Sequence, residues 1–331
     1  MPKSQLTAAE YIAGIRAGNR TILSRAITLA ESTRADHKQL AEQIIETLLP
    51  ETGRSLRVGI TGVPGVGKST FIEAFGSHLL AAGRKLAVLA IDPSSSRTRG
   101  SILGDKTRMV ELSRDERAYI RPSPAGTTLG GVARKTRESI LLCEAAGFDA
   151  IIVETVGVGQ SETAVRWMVD FFLLLMLAGA GDELQGIKRG IMEMADLIAI
   201  TKADGDNAKL ARAAAIEYRT ALHLFPEAAD GWHPQTLTCS AVTRDGIGAI
   251  WEKILEHNRH MRAGEHWNAR RREQSRYWMY ETIHDELRRR FYDDAAVKAA
   301  LPDTEAEVLE GRTNSFTAAR RMMELYKRER P

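Results

Sequence analysis

Short runs of apolar residues alternate with helical patterns through the middle of this 331-residue chain. The runs read "LRVGIT" (56–61), "KLAVLAI" (85–91), "AIIVET" (150–155), "FFLLLML" (171–177), "ADLIAIT" (195–201) and "TLTCSA" (236–241). Strands that are apolar throughout their length are typical of a parallel sheet covered by helices on both faces. The pattern therefore predicts an α/β fold with a mostly parallel central sheet.

Both ends of the chain show helical periodicity instead. Near the N-terminus, Thr7 and Glu10 have the spacing of a capping box and precede isoleucines at helical intervals. Near the C-terminus, one apolar stripe repeats every four residues and consists of Ile283, Leu287 and Phe291. We expect three regions: a helical extension (1–50), a sheet domain (51–256) and a C-terminal helical region (257–331).

The composition is that of an ordinary soluble protein, with 44% hydrophobic and 27% charged residues. The net charge of +3 is too small to indicate nucleic-acid binding, and the basic segment 259–276 favours a solvated helix or a dimer arm. Cys143 and Cys239 provide neither a disulfide framework nor a CxxC pair. The N-terminus lacks the apolar core of a signal peptide, and the run 171–177 is shorter than the ~20 residues of a membrane helix. We expect a cytoplasmic protein without a membrane partner.

One segment matches the phosphate-loop pattern GxxxxGK[ST] between a predicted strand and a predicted helix. Its residues are Gly62, Val63, Pro64, Gly65, Val66, Gly67, Lys68 and Ser69, followed by Thr70. The glycines let main-chain N–H groups turn toward phosphate oxygens at the N-terminus of a helix. Lys68 would then reach the β- and γ-phosphates, and the Ser69 hydroxyl would bind Mg²⁺. Taken by itself, this motif is the strongest signal in the chain.

Carboxylates at the ends of neighbouring predicted strands are candidates for the same magnesium site. Asp92 follows the run at 85–91, and Glu154 opens an acid-x-x-Gly segment that ends at Gly157. Such a segment links the metal to the γ-phosphate in GTPases, where aspartate is the usual acid. Asp105 is a third candidate, on a predicted loop. A helix cap or a solvated loop charge would be the alternative role for each carboxylate.

The residue after this glycine is Val158, where many regulatory GTPases place a glutamine that orients the attacking water. Gln160 comes two positions later. The sequence therefore predicts slow intrinsic hydrolysis that a partner accelerates. A scaffold that binds nucleotide without hydrolysing it is an alternative.

A second loop has the pattern that reads guanine. It contains Thr201, Lys202 and Asp204, in "TKAD", where asparagine usually occupies the first position. The Asp204 carboxylate would accept hydrogen bonds from guanine N1–H and N2–H₂, which adenine cannot offer in that place. The Lys202 stem would pack on the base, and the Thr201 hydroxyl would partly replace asparagine in bracing the loop. Ser240 and Ala241 would contact guanine O6 through main-chain N–H groups. GTP is therefore favoured over ATP.

Longer segments identify a family. They read "GVPGVGKST", "IDPSSSRTRGSILGDKTRM", "RPSPAGTTLGGVARKT", "IIVETVGVGQSE", "AGAGDELQGIKRGIMEMAD" and "KADGDN". Together they resemble the methylmalonyl-CoA mutase-associated GTPases, the MeaB/ArgK family, over most of the chain. This family belongs to the branch of P-loop GTPases that also holds metal-insertion chaperones. The resemblance implies that segments 92–109 and 154–162 are switches, and that segment 178–189, with Gln185 and Lys188, carries the nucleotide state to a partner. Lys188 is also a candidate for the group that completes the catalytic site. It also implies that Asp92, Asp105 and Glu154 surround Mg²⁺ with Ser69.

The resemblance further implies a role and partners. The expected role is chaperoning an adenosylcobalamin-dependent methylmalonyl-CoA mutase, with GTP hydrolysis gating cofactor loading from an adenosyltransferase. The family also implies a homodimer formed by the C-terminal helices. Two alternatives are a nickel-insertion GTPase, which the scattered histidines disfavour, and an ATP-dependent small-molecule kinase, which the guanine-type loop disfavours.

Overall fold

The computed structural model describes residues 6–91, 109–122, 129–155, 161–179 and 189–328. Three helices come first: α1 (Ala8–Arg16), α2 (Arg20–Glu31) and α3 (Ala35–Leu48). The capping box is confirmed, because the Thr7 N–H donates to Glu10 Oε2 at 2.7 Å and the Glu10 N–H donates to Thr7 Oγ1 at 3.3 Å. The N-terminal region is helical, as its sequence pattern predicted.

The described residues of the middle region form a seven-stranded parallel sheet. Its strands are β1 (Leu56–Gly62), β2 (Leu86–Ile91), β3 (Ala118–Arg121), β4 (Ala150–Thr155), β5 (Phe171–Met176), β6 (Leu197–Ile200) and β7 (Gln235–Thr238). The order across the sheet is β3-β2-β4-β1-β5-β6-β7. The predicted α/β class is confirmed, and β1 lies at the centre.

Helices connect the strands and cover the sheet. They are α4 (Lys68–Ala81), α5 (Val110–Arg114), α6 (Leu129–Ala145), α7 (Ser161–Arg166), α8 (Arg189–Met194), α9 (Ala208–Leu222) and α10 (Ile247–Ala263). Successive residues of β1 point to opposite faces of the sheet. Val58 and Ile60 belong to a core shared with α4 and α10, where the rings of Phe75 and Trp251 meet edge-on. On the other face, Gly59 leaves room for α7.

One strand is absent from the sequence prediction. Strand β3 reads Ala-Tyr-Ile-Arg and follows a charged turn, so it forms no extended apolar run. Ala118, Tyr119 and Ile120 are buried, so the strand was missed because it is only four residues long and not because it is solvated.

The chain divides into two compact units, residues 1–274 and 275–331. Helix α11 (His266–Asp293) crosses the division, and α12 (Ala295–Leu309) and α13 (Ser315–Arg328) complete the second unit. Helix α10 belongs to the core of the first unit through Ile250, Trp251 and Ile254. None of the described helices is long and apolar enough to cross a membrane. The three-region division by role stays a prediction.

Two arginines of the basic segment 259–276 are not solvated, whereas Arg259, Arg262, Arg272 and Arg276 are exposed, as expected for a solvated helix. The alternative of a dimer arm stays a prediction. Arg271 forms a two-point ion pair with Asp170, at 2.9 Å from Nε to Oδ1 and 2.7 Å from Nη2 to Oδ2. Its neighbour Arg270 lies 3.6 Å from the buried carboxylate of Asp196. Because both aspartates directly precede strands, these arginines attach the start of α11 to the end of the sheet at which β5 and β6 begin.

Candidate nucleotide site

The predicted phosphate loop lies between the end of β1 at Gly62 and the start of α4 at Lys68. Gly65 and Gly67 have φ angles of 77° and 90°, in the left-handed region that glycine adopts without a steric penalty. A Cβ atom on Gly62 would lie 2.5 Å from the carbonyl oxygen of Leu175, so no other residue fits there. The turn and the helix N-terminus together form the geometry that binds phosphate through main-chain N–H groups.

Lys68 lies over this loop, with its Nζ donating to Gly62 O at 2.8 Å and to Val63 O at 3.5 Å. The side chain is buried. Burial lowers the pKa of Lys68 below its usual value, while the carboxylates of Glu154 and Glu162 act in the opposite direction. A phosphate group would offer this ammonium a stronger partner than two carbonyl oxygens.

The Ser69 hydroxyl and the Glu154 carboxylate converge beside the loop. Ser69 Oγ lies 3.5 Å from Glu154 Oε1, because β4 pairs directly with β1 and brings Glu154 level with Ile60. Both groups are hard oxygen donors of the kind that Mg²⁺ prefers, so the residues fit this ion. The other predicted ligands, Asp92 and Asp105, lie outside the described residues, as do Gly157, Gln185 and Lys188.

The structure brings the base loop against the phosphate loop. The Thr201 hydroxyl donates to Val66 O at 2.8 Å, with Met176 O at 3.3 Å as a second acceptor. Lys202 has a positive φ of 55°, and its Nζ donates to Gly65 O at 2.9 Å. Two successive side chains of the base loop therefore hold the phosphate loop through its carbonyl oxygens.

Asp204 and Ser240 meet at the ends of β6 and β7. The Ser240 hydroxyl donates to Asp204 Oδ2 and accepts from the N–H groups of Val242 and Thr243, at 3.2 Å and 3.1 Å. These contacts orient the carboxylate. The main-chain N–H of Ser240 donates to Asp245 O at 2.9 Å, so it is already used within the protein. Two main-chain N–H groups were predicted to contact guanine O6. Because the Ser240 N–H is already bonded, the Ala241 N–H is the remaining candidate.

Some residues of the site escaped the sequence analysis. Thr155 Oγ1 donates to Thr61 Oγ1 at 2.7 Å, and Thr61 Oγ1 lies 3.5 Å from Glu162 Oε1. Asn207 donates from Nδ2 to Lys202 O at 2.7 Å and supports the base loop. The sequence did contain a signal for the two threonines, because each ends an otherwise apolar run. A buried hydroxyl needs a hydrogen-bond partner, so the two threonines could have been expected to take part in a polar contact.

Within the described ranges, no three His, Cys, Asp or Glu side chains form a group that could hold a metal ion. Cys143 and Cys239 are both buried and free.

Known proteins resemble the chain along most of its length. A family model described as "Methylmalonyl Co-A mutase-associated GTPase MeaB" matches residues 23–296. GTPase ArgK of Escherichia coli is 49% identical over 284 residues, which cover 86% of each chain. The "Methylmalonic aciduria type A homolog, mitochondrial" of Mus musculus is 45% identical over 335 residues, covering 98% of this chain and 81% of that protein.

A solved structure has the same fold. It is described as a LAO/AO transport system kinase, and it is 39% identical, with a TM-score of 0.77 over 98% of this chain and 100% of that one. The predicted family resemblance is confirmed by these matches. The chain therefore belongs to the methylmalonyl-CoA mutase-associated GTPases of the MeaB/ArgK type, and it is a P-loop GTPase that binds guanine nucleotide and hydrolyses GTP.

Proposed function

We propose that this GTPase is a chaperone of an adenosylcobalamin-dependent methylmalonyl-CoA mutase. The observation that carries the proposal is the match of residues 23–296 to a family whose description names that mutase. The name of the mouse relative, which refers to methylmalonic aciduria, supports the same metabolic setting. In this role GTP binding and hydrolysis gate cofactor loading from an adenosyltransferase and protect the mutase.

The described residues support specific roles in GTP binding. Main-chain N–H groups of the loop 62–70 bind the phosphates, and Lys68 neutralises charge at the β- and γ-phosphates. Ser69 and Glu154 would hold Mg²⁺, and the family pattern adds Asp92 and Asp105, which lie outside the described residues. The ion would neutralise charge on the phosphate oxygens. Gly157 would contact the γ-phosphate through its N–H, as the acid-x-x-Gly pattern implies.

Guanine recognition depends on the second loop. Asp204, held by Ser240, accepts from N1–H and N2–H₂ of the base, and the Ala241 N–H donates to O6. Thr201 and Lys202 connect base binding with the phosphate loop, since each donates to a carbonyl oxygen of that loop. The nucleotide state reaches the mutase through the segment with Lys188, in the manner of a switch.

A homodimer is the second part of the proposal. The second unit carries an apolar groove of about 800 Å³ between α11, α12 and α13. Leu287 and Leu309 line it and are 58% and 87% exposed in the single chain. A second copy of the chain would cover these residues, as the family resemblance implies. Leu287→Arg should convert a dimer to a monomer in sedimentation measurements, whereas Leu224→Arg, at an exposed leucine of the first unit, should not; an unchanged mass for Leu287→Arg contradicts this interface.

Steady-state nucleotide turnover with and without methylmalonyl-CoA mutase tests the function. We expect the mutase to stimulate GTP hydrolysis, while ATP is a poor substrate in either condition. GTP hydrolysis that does not respond to the mutase would leave the GTPase and refute the partner. ATP turnover would instead support a kinase-type activity.

A variant pair sharpens this test. Lys188→Ala should reduce mutase-stimulated turnover more than basal turnover, because its expected role is in the segment facing the partner. Lys209→Ala removes an exposed lysine from α9 and should leave both rates unchanged. Equal loss of basal and stimulated turnover in Lys188→Ala would contradict a switch role.

A further inference from the structure

Glu162 is a buried carboxylate in the first turn of α7, with 1% of the residue exposed. It ends a chain of buried hydroxyl groups that crosses two strands. Thr155, the last residue of β4, donates to Thr61 on β1, and Thr61 Oγ1 lies 3.5 Å from Glu162 Oε1. A buried carboxylate can terminate such a chain because it only accepts hydrogen bonds.

Each hydroxyl belongs to a residue beside a functional group. Thr155 follows Glu154, the candidate magnesium ligand, and Thr61 precedes Gly62, whose carbonyl oxygen holds Lys68. The positions of the two threonines therefore affect the main chain at the ends of β4 and β1. A shift of Thr155 would displace Glu154, and a shift of Thr61 would displace the carbonyl oxygen of Gly62 that accepts from Lys68.

Helix α7, which carries Glu162, is held against the sheet by side-chain packing and by an ion pair. Val165 packs where a Cβ on Gly59 would lie, with its Cγ1 2.8 Å from that position, so the helix touches the backbone of β1. At the last residue of the helix, Arg166 Nη1 donates to Asp196 Oδ2 at 2.5 Å. Asp196 also accepts from the Phe172 N–H at 2.7 Å. The helix is thus attached to β1, β5 and the start of β6.

Charge gives Glu162 a second effect on the same site. Lys68 is buried beside two carboxylates, those of Glu154 and Glu162. A buried ammonium requires compensating negative charge, and Glu162 supplies part of it together with Glu154.

We propose that Glu162 is a positioning residue for GTP hydrolysis, acting through Thr61 and Thr155 to set the places of Lys68 and Glu154. The inference rests on the GTPase activity and on the proposed roles of Lys68 and Glu154, and it does not involve the mutase. Lys68 acts at the β- and γ-phosphates and Glu154 at the metal, and hydrolysis needs both groups in place at the γ-phosphate. Hydrolysis therefore depends on Glu162 more than GDP binding does. GDP binding depends mainly on main-chain groups of the loop and on the base loop.

The test compares Glu162→Gln, Thr61→Val and the double variant in single-turnover GTP hydrolysis at saturating GTP and Mg²⁺. Glutamine keeps an acceptor oxygen and loses the charge, and valine keeps the shape of threonine and loses the hydroxyl. Each single variant should hydrolyse GTP about tenfold more slowly, since small misplacements of reacting groups are costly. The GDP dissociation constant should stay within about threefold of wild type, well below a change in rate of that size.

The double variant separates a shared chain from two independent contributions. Residues that act as one unit are not additive, so the double variant should be within about twofold of the slower single variant. Thr236→Val is the matched control, because it removes another buried strand hydroxyl, one that donates to Ala215 O at 2.8 Å. It should leave the rate unchanged.

Three results would overturn the proposal: unchanged rates in the single variants, rate losses that multiply in the double variant, or GDP affinity falling as much as the rate. If Glu162→Gln does not fold, Thr61→Val and Thr155→Val make the same prediction without a change in charge. Lys68→Ala is the reference for the site. If it hydrolyses GTP like wild type, the roles assigned to the site are wrong; if it is slow while Glu162→Gln is unimpaired, only the positioning role fails.

Discussion

The Thr201 hydroxyl donates a 2.8 Å hydrogen bond to the main-chain carbonyl of Val66. This bond joins the end of β6, where we propose that guanine is read, to the proposed phosphate loop. Asparagine is the usual residue at the position of Thr201, and here the threonine hydroxyl supplies a donor to the loop. The residue that departs from the usual pattern therefore links the two segments that we propose bind the base and the phosphates.

Removing this hydroxyl should weaken nucleotide binding. In Thr201→Val the carbonyl of Val66 loses its buried donor, which costs about 1–3 kcal/mol and corresponds to roughly 5- to 150-fold in affinity. We expect the dissociation constant of a fluorescent GDP analogue to rise by about that factor. Thr201→Asn should bind GDP within about threefold of wild type, because the asparagine amide also offers an N–H donor to the carbonyl of Val66. Equal affinity of Thr201→Val and wild type would contradict the bracing role.

Base selectivity should depend on the carboxylate of Asp204. Asp204→Asn replaces one acceptor by a donor opposite guanine N1–H or N2–H₂, so the preference for GTP over ATP should fall by about 10- to 100-fold. Competition of GTP and ATP for the fluorescent GDP analogue measures this preference. Asp206→Asn alters an exposed acid two residues away and should leave the preference intact. A preserved preference in Asp204→Asn would mean that guanine is read elsewhere.

A buried ion pair should contribute to stability without affecting nucleotide binding. Arg57 and Glu144 form two hydrogen bonds, at 2.9 Å and 2.8 Å, and their side chains are only 4% and 1% exposed. Glu144→Gln leaves the Arg57 charge buried without its partner, which should lower the free energy of unfolding by about 3–5 kcal/mol. Urea unfolding measures this change.

The control for this pair is Asp36→Asn, which breaks the exposed pair between Arg34 and Asp36. Exposed pairs contribute little, so its unfolding curve should match that of wild type. Glu144→Gln should keep its GDP affinity because the pair lies at the opposite end of β1 from the phosphate loop. Loss of GDP affinity in the folded variant would show that this end of the sheet influences the site.

His257 is a buried histidine whose environment favours the neutral form. Its ring packs edge-on against Phe171 and Trp232, with centroids 5.0 Å and 4.9 Å away. Burial lowers the pKa of His257 to about 4, against the attraction of Asp196 and Asp230 and with the repulsion of Arg270 and Arg166.

Stability should therefore fall on mild acidification. Between pH 6.5 and about 4 the unfolded chain binds a proton at His257 and the folded protein does not, so the folded state loses stability as the pH falls through this window. We expect a loss of about 2 kcal/mol between pH 7.5 and pH 5 from this group. His257→Phe should lose that much less over the same range in urea unfolding. His223→Gln changes an exposed histidine and should behave like wild type; an equal loss in His257→Phe and wild type would refute the assignment.

Two differences between sequence and structure have physical causes. Strand β3 was missed because it has only four residues, too few to form a recognisable apolar run. Its pairing with β2 at the sheet edge defines it as a strand. The arginines at 270 and 271 were expected in solvent because local charge gives no information about distant partners. Their partners, Asp196 and Asp170, lie far from them in the chain and come close only when β5 and β6 enter the sheet.

Local patterns in the sequence alone determined the fold class, the phosphate loop, the candidate metal and base residues, and the family. They did so because these features depend on neighbouring residues: strands alternate with helices, and GxxxxGK[ST] is one continuous turn. Tertiary structure decided which groups share hydrogen bonds. Thr201 with Val66, Ser240 with Asp204, and Glu162 with Thr61 meet across strands that are distant in the chain. Burial makes each such contact important, because a polar group removed from water must find its partner within the protein.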